Sequence, residues 1–377
     1  MLRTLPLIGL LACSPQTGSP DCANAPQAPE DLPAFELTLT SGETAMGGDS
    51  ALLLNQNNGT QSWATAVDTC GQHQWWLTPE DAENRIYRAK LANDGASLLV
   101  GEKDREGVLD SAWIRRVSPT GEIESRTRTL EAHHDFVEID DAFFFLSHQY
   151  RQNIWLSEFR EALASDVIRQ AHEHAETPVD ERLFSLFDDS GVEPWWICDH
   201  MKPSERVPGY GEWSHSNSLL WEPEEDAFYV LIRYWDAIAK VSRTGELLWM
   251  LGGPLNTFTL VGDTTLPLHG HMSEIWPGGM LVFDNRNHTD LPSRVVEYAI
   301  DESDLTVQQV RVIEEPEGDR IAFLGDARRL PDGHILVAWS TKGRLTEYDR
   351  SGQAVWEIQA DHTIGRVQWV PNWPGHP

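Results

Sequence analysis

Positive charge is scarce: 29 Lys and Arg stand against 59 Asp and Glu in 377 residues, a formal net charge of −30. Neutralising a phosphate backbone takes a stripe of Lys and Arg that this composition cannot spare, which excludes a nucleic-acid binder working through a basic surface. The same field repels anions at long range, so any anion site must be a local positive pocket. Cysteine is sparse as well. The four residues include no CxxC and no Cys/His zinc spacing, so no structural metal is expected. Beyond the first dozen residues no apolar run approaches the ~18 needed to span a bilayer. What the chain does have is 40% hydrophobic residues with 16 Trp, enough for a sizeable packed core.

At the N-terminus Arg3 precedes the apolar run Leu5 to Leu11, followed by Ala12 and Cys13. This is the layout of a secretory signal, too short to cross a membrane. Leu10-Leu11-Ala12-Cys13 resembles the bacterial lipobox, which makes residues 1–12 a lipoprotein signal peptide and Cys13 the lipidated first residue of the mature chain. Residues 13–30, opening with Ser14 to Pro20, read as a flexible tether. The protein is therefore expected to be exported and lipid-anchored on the periplasmic side. Ser14, in place of the Asp that retains such proteins at the inner membrane, favours the outer membrane. An oxidising compartment permits one disulfide, and Cys70 with Cys198 is the expected pair because Cys22 lies in the tether.

The chain repeats. Asp326 to Gly333 leads into the strand-like 334–339, then 344–348, a turn at Asp349 to Gly352, and Ala354-Val-Trp356. The same order recurs from His271 and from His215, and in weaker copies near His134 and Arg88. Each copy is a set of short apolar or alternating runs separated by Asp-Gly, Pro-Gly or Thr-Gly turns, which predicts strands. Four strands per ~40 to 55 residues is the arithmetic of a β-propeller blade. We therefore expect an all-β, six-bladed β-propeller over residues 70–377, with a β-sandwich as the competing architecture. Phe159, Leu163, Val167, Ile168 and Ala171 fall at helical spacing, so a helical insertion is expected at about 156–190. Residues 31–69 form a short N-terminal β-rich extension that packs beside the ring or closes it.

The first strand of each blade lines the central channel. Intervals of 56 and 55 residues put His215, His271 and Asp326 at one register position, with His134 corresponding in an earlier copy. His134, His215 and His271 should then converge. Asn217 shares a strand face with His215, and Arg233 can swing in as a positive charge. His269 shares the face of His271 and stays an alternative to it. The remaining histidines considered, His148 and His288 among them, read as ordinary polar residues. Three converging imidazoles suit zinc or copper. An Arg and an Asn in the same pocket instead suit an anion, because a guanidinium offers paired donors to oxyanions.

His215-Ser-Asn-Ser with Arg233 eighteen residues on, Lys240 to Gly252, Gly270-His271, Leu281 to Asn285 and Ser293 to Tyr298 together resemble the bacterial arylsulfate sulfotransferase family. The likeness spans roughly residues 130–350. It implies an exported six-bladed propeller that moves a sulfuryl group from an aryl sulfate to a phenolic acceptor, with no nucleotide donor, no cofactor and no metal. It also implies His271 as the nucleophile that becomes sulfated, with His215, Asn217 and Arg233 holding the sulfuryl oxygens and His134 as a channel ligand or acid/base. Trp195, Trp196, Trp213 and Tyr234 are candidates for resting the phenols, with His269 nearby. The rival reading is a non-enzymatic lipoprotein propeller serving as an assembly or binding scaffold at the outer membrane.

Overall fold

A computed structural model describes residues 26–105, 112–156, 159–178, 181–193 and 210–375. Six antiparallel sheets form the blades of a ring. Blade 1 comprises, from the axis outward, Ile364–Val370, Ala51–Asn57, Ser62–Val67 and His73–Leu77. Blade 2 follows with Asn84–Leu91, Leu98–Asp104, Ala112–Val117 and Ile123–Thr129, and blade 3 with His133–Ile139, Ala142–Leu156, Phe159–His172 and Glu181–Ser185. Blade 4 comprises Ser216–Glu222, Ala227–Ile232, Ala237–Ser242 and Leu247–Gly252. Blade 5 comprises Met272–Trp276, Gly279–Asp284, Arg294–Asp301 and Thr306–Glu314, edged by the parallel Thr259–Val261. Blade 6 comprises Asp326–Arg329, Ile335–Trp339, Arg344–Tyr348 and Ala354–Ala360, edged by the antiparallel Phe35–Thr40.

Why the strands read as unbroken apolar runs follows from where the core lies. Each of the six apolar clusters sits between two neighbouring blades. In Ala227–Ile232 every residue is buried. Phe228, Val230 and Ile232 pack toward blade 3, while Ala227, Tyr229 and Leu231 pack toward blade 5. The period of two is intact, but both faces are covered, so alternation of polarity disappears. Each such aromatic or aliphatic side chain contributes about 1.5–3 kcal/mol by leaving water. The outer hairpins close on glycine. Gly245 has φ +85°, and a Cβ there would stand 2.2 Å from the Leu183 carbonyl oxygen, a position only glycine fits.

Two expected boundaries move. The stretch expected to be helical is the long hairpin Ala142–Leu156/Phe159–His172, in which Leu146 pairs with Ile168 and Phe144 with Gln170. Its apolar residues fit both periods over so short a run, and alternation is the one realised: Ile168 faces blade 4 while Ala171, three residues on, faces blade 2. The propeller also begins before residue 70. Ala51–Asn57 and Ser62–Val67 are the middle of blade 1, and Ile364–Val370 from the other end of the chain joins them as the innermost strand and closes the ring. Cys70, in the turn between Ser62–Val67 and His73–Leu77, is disulfide-bonded. Its expected partner Cys198 lies outside the described residues, as do Cys13, Cys22, the signal segment and most of the tether. Among the described residues no helix is long and apolar enough to cross a membrane.

Candidate active site

The innermost strands begin at one end of the ring, and a cavity opens there in two adjoining lobes of about 530 and 890 Å³. His134 and His271 line both lobes. His215, Asn217, Arg233, Tyr234, His269 and His288 line the larger, and Tyr87, Lys103 and Arg366 the smaller.

The beginnings of three innermost strands share a bend. His134, His215 and His269 all have φ of +54°, a left-handed conformation that costs a side chain roughly 1–2 kcal/mol and tends to be retained at functional sites. Leu324 takes the same place in blade 6 with φ +61°. Two residues on, each chain reaches the next blade: Asn217 Nδ2 donates to the Gly270 carbonyl at 3.2 Å, and His271 Nδ1 donates to the Gly325 carbonyl at 2.9 Å. His215 therefore corresponds to His269 and Leu324, while Asn217 corresponds to His271 and Asp326. The expected alignment of His215 with His271 and Asp326 is off by two residues, because counting along the chain takes no account of unequal connections between blades. His134 and His271 nevertheless reach the same cavity as His215.

The hydrogen bond to Gly325 fixes the tautomer of His271. With its proton on Nδ1, the imidazole carries its lone pair on Nε2. Burial, reinforced by the nearby charges of Arg366 and Arg233, holds this imidazole well below its usual pKa, so it is neutral at pH 7. His134 is kept neutral in the same way, by burial first and then by His133, His215 and His271. His215 Nδ1 donates to Glu212 Oε2 at 2.6 Å, and its ring lies 5.0 Å from that of His134. The Nε2 of His269 packs against His288 Nε2, so this pair of imidazoles occupies itself.

Arg233 opens a short 3-10 turn after the second strand of blade 4. Its backbone N–H donates to the His215 carbonyl at 3.2 Å, and its guanidinium lies 5.2 Å from the centre of the Tyr234 ring. Among the described residues no carboxylate lies within 4.0 Å of that guanidinium, unlike those of Arg88, Arg115, Arg116, Arg294, Arg344 and Arg366. Tyr234 stands between His215 and His269, at ring separations of 5.1 and 5.4 Å. Trp213 does not reach the cavity: it is sandwiched between Phe187, stacked at 4.9 Å, and Trp235. Its burial in the interface between blades 3 and 4 is the ordinary fate of a large aromatic. Trp195 and Trp196 lie outside the described residues.

The residue that sequence reasoning missed most plainly is Arg366. It is 3% exposed on the closing strand, donates to Asp135 Oδ2 at 2.7 Å and also donates to the main-chain oxygen of Asn217. Although burial raises it, the Asp135 carboxyl is held well below the usual range by Lys90, Arg366 and Arg88. A cation in a largely apolar terminal strand was the available signal. With Arg85, Lys103 and Arg233 it makes the cavity locally positive inside an acidic shell. His134, His215 and His271 do not form a metal-binding set: among the described residues the group of three ligand atoms lying within 4.8 Å of one another comes from His133, His148 and Asp166.

No curated relative matches the chain. Over 85% of its length it is similar to a putative 6-phosphogluconolactonase from Bacteroides fragilis, with 11% identity, 97% of that chain covered and a TM-score of 0.47. It is also similar, again over 85%, to the periplasmic gluconolactonase of Pseudomonas aeruginosa, with 13% identity, 98% of that chain covered and a TM-score of 0.42. The family model for arylsulfotransferase (ASST) matches residues 37–369.

Proposed function

Because the chain belongs to the arylsulfotransferase family, we propose that it carries a sulfuryl group from an aryl sulfate to a phenol in two steps, through a covalent sulfohistidine on His271. Nε2 of His271 attacks sulfur, the S–O bond to the ring breaks, and the phenolate departs with the bonding pair. An acceptor phenol then attacks the same sulfur, its oxygen forms the new S–O bond, and the S–N bond returns its electrons to the imidazole. The observation that carries this reading is the Nδ1 hydrogen bond to Gly325, which leaves a buried, neutral imidazole with its lone pair on Nε2.

Charge on the sulfuryl oxygens has to be met by donors already in place. Arg233 is uncommitted to any described carboxylate, Asn217 keeps one amide N–H beyond the one given to Gly270, and His215 and Arg366 add to the local field. Tyr234, Tyr87 and the 56%-exposed Phe323 offer ring faces for the phenols. A scaffold would have no use for three strained histidines around one cavity. Brief exposure to an aryl sulfate alone, followed by peptide mass spectrometry, should find one added sulfuryl group on His271. An adduct on His269 would move the nucleophile by two residues. Turnover by His271→Ala with no adduct anywhere would reject the mechanism.

Export and anchoring through a lipid on Cys13 belong to the same proposal, since a transfer that draws on no nucleotide donor can run outside the cytoplasm. Cys13→Ser should move the protein from the membrane fraction to the soluble one, and continued membrane association would reject the anchor.

A further inference from the structure

Behind His134 lies a buried chain of groups that the transfer itself does not use. We infer that Asp166 and His133 are positioning residues that make His134 the base for the acceptor phenol, an inference that rests on the proposed transfer through His271.

The geometry fixes where each proton sits. Asp166, on Phe159–His172, is 2% exposed, and its Oδ2 accepts the Ser214 hydroxyl and the Ser216 N–H, both at 2.6 Å. The other oxygen, Oδ1, lies at ion-pair distance from two imidazoles, 3.1 Å from His133 Nε2 and 3.8 Å from His148 Nε2, and neither Oδ1 nor His133 Nε2 makes a hydrogen bond of good geometry to any other described group. His133 is fully buried. Against a carboxylate its Nε2 holds the proton, so in the neutral ring Nδ1 is bare. That nitrogen stands 2.7 Å from His134 Nδ1, which must then be the donor, and the lone pair of His134 falls on Nε2. His134 lines both lobes of the cavity beside His271.

In the second half of the reaction the phenol O–H gives its proton to His134 Nε2 as its oxygen bonds to sulfur and the S–Nε2 bond of His271 breaks. The positive charge on His134 is met through His133 by the Asp166 carboxylate. The phenolate released from the next donor takes the proton away, which restores neutral His134 and balances the cycle. Orienting a base through a buried carboxylate in this way also sets its tautomer.

The same place could be read as a metal site, because the ligand atoms of His133, His148 and Asp166 lie close together. The rings of His133 and His148 are stacked 4.0 Å apart at 22°, however, so their in-plane lone pairs run side by side and do not converge on one ion. His148 serves as a neutral lid on His133, its pKa lowered by burial and by His133 itself.

The test is the pH profile of acceptor turnover for Asp166→Asn in the full-length protein. The groups facing His134 and His133 are Asp135 on their own strand with Arg88 and Lys90 bound to it, His148 and Glu131 in blade 3, His215 with Glu212 at blade 4, and His271, Arg366 and Arg85 around the cavity. Removing the Asp166 charge weakens His134 as a base. We expect acceptor turnover to fall by ~10²-fold or more, most for the least acidic phenols, and its acid limb to move to lower pH. Asp166→Glu should recover part of the rate. Sulfation of His271 by a donor with a good leaving group, read as a single-turnover burst, should stay near the parent rate and certifies the fold.

A normal burst with an unmoved acid limb and parental acceptor turnover would overturn the relay while leaving the sulfohistidine intact. Loss of the burst in the parent protein would instead remove the transfer mechanism on which it rests. Stoichiometric zinc or copper in the purified parent, absent from Asp166→Asn, would replace the relay with a metal centre.

Discussion

Blades 5 and 6 enter the channel with the same backbone and different chemistry. His269-Gly270-His271 and Leu324-Gly325-Asp326 both begin with a left-handed residue, at φ +54° and +61°, and both place their third side chain toward the following blade. In blade 5 that side chain is an imidazole bonded to Gly325. In blade 6 it is the fully buried Asp326, whose carboxylate takes the N–H groups of Ala327 and Val367 and the guanidinium of Arg328. The position itself is an architectural device for tying blades together. In the proposed mechanism, function enters where one tie is made with an atom that leaves a second nitrogen of the ring over.

That contrast is broken most directly by removing the two side chains in parallel. His271→Ala should lose turnover by on the order of 10⁶-fold, as when a nucleophile is deleted, with a denaturation midpoint close to the parent's. Asp326→Ala should do the reverse. It strands Arg328 and the Val367 N–H in the interior and should destabilise the fold by about 3–5 kcal/mol, measured by chemical denaturation. If Asp326→Ala folds normally, the tie is not structural.

Arg233 sharpens the comparison from the side of substrate. Arg233→Ala should reduce kcat/KM for aryl sulfates by about 3 kcal/mol, the worth of one oxyanion donor, and leave a measurable residual rate. An equal loss to that of His271→Ala would mean that Arg233 does more than hold charge.

The pH dependence has a definite sign. His134, His148 and His271 are buried and held below the usual imidazole pKa, so the unfolded chain takes up their protons first. Stability should be full above about pH 6.5 and fall as the pH drops below it, by up to ~1.4 kcal/mol per pH unit for each histidine. Sulfation of His271 should persist below pH 6.5, because the nucleophile stays neutral there. A burst that dies with an ordinary imidazole titration would contradict the buried assignment.

How far the sequence carried these conclusions differs between the scaffold and the site. Fully apolar runs such as Ala227–Ile232 and the recurring turns exposed the ring, because every blade solves the same two-sided packing problem. The hairpin Ala142–Leu156/Phe159–His172 was misread because its apolar residues satisfy a helical and an alternating period alike. That error hid Asp166, and with it the partner of His133. That His215, Asn217, Arg233 and His271 line one cavity was legible through repetition and family likeness. Arg366 was not, since only closure of the ring by the last strand brings residue 366 within 2.7 Å of Asp135. Residue counting aligned His271 with His215, whereas backbone conformation puts His269 at that position.

The smallest effect concerns Leu324. A branched aliphatic residue is a poor occupant of the left-handed region, where Asn and His are tolerated better, and the histidines at the same place in blades 3, 4 and 5 carry less strain for that reason. The Leu324 carbonyl accepts from Asn285 Nδ2 at 2.9 Å whatever the side chain, so a substitution there leaves the local tie in place. Leu324→Asn should therefore stabilise the protein by some fraction of the roughly 1–2 kcal/mol attached to that conformation. A denaturation midpoint that falls instead would show that the leucine's contacts at the cavity rim outweigh its backbone strain, and that blade 6 departs from its neighbours by more than one side chain.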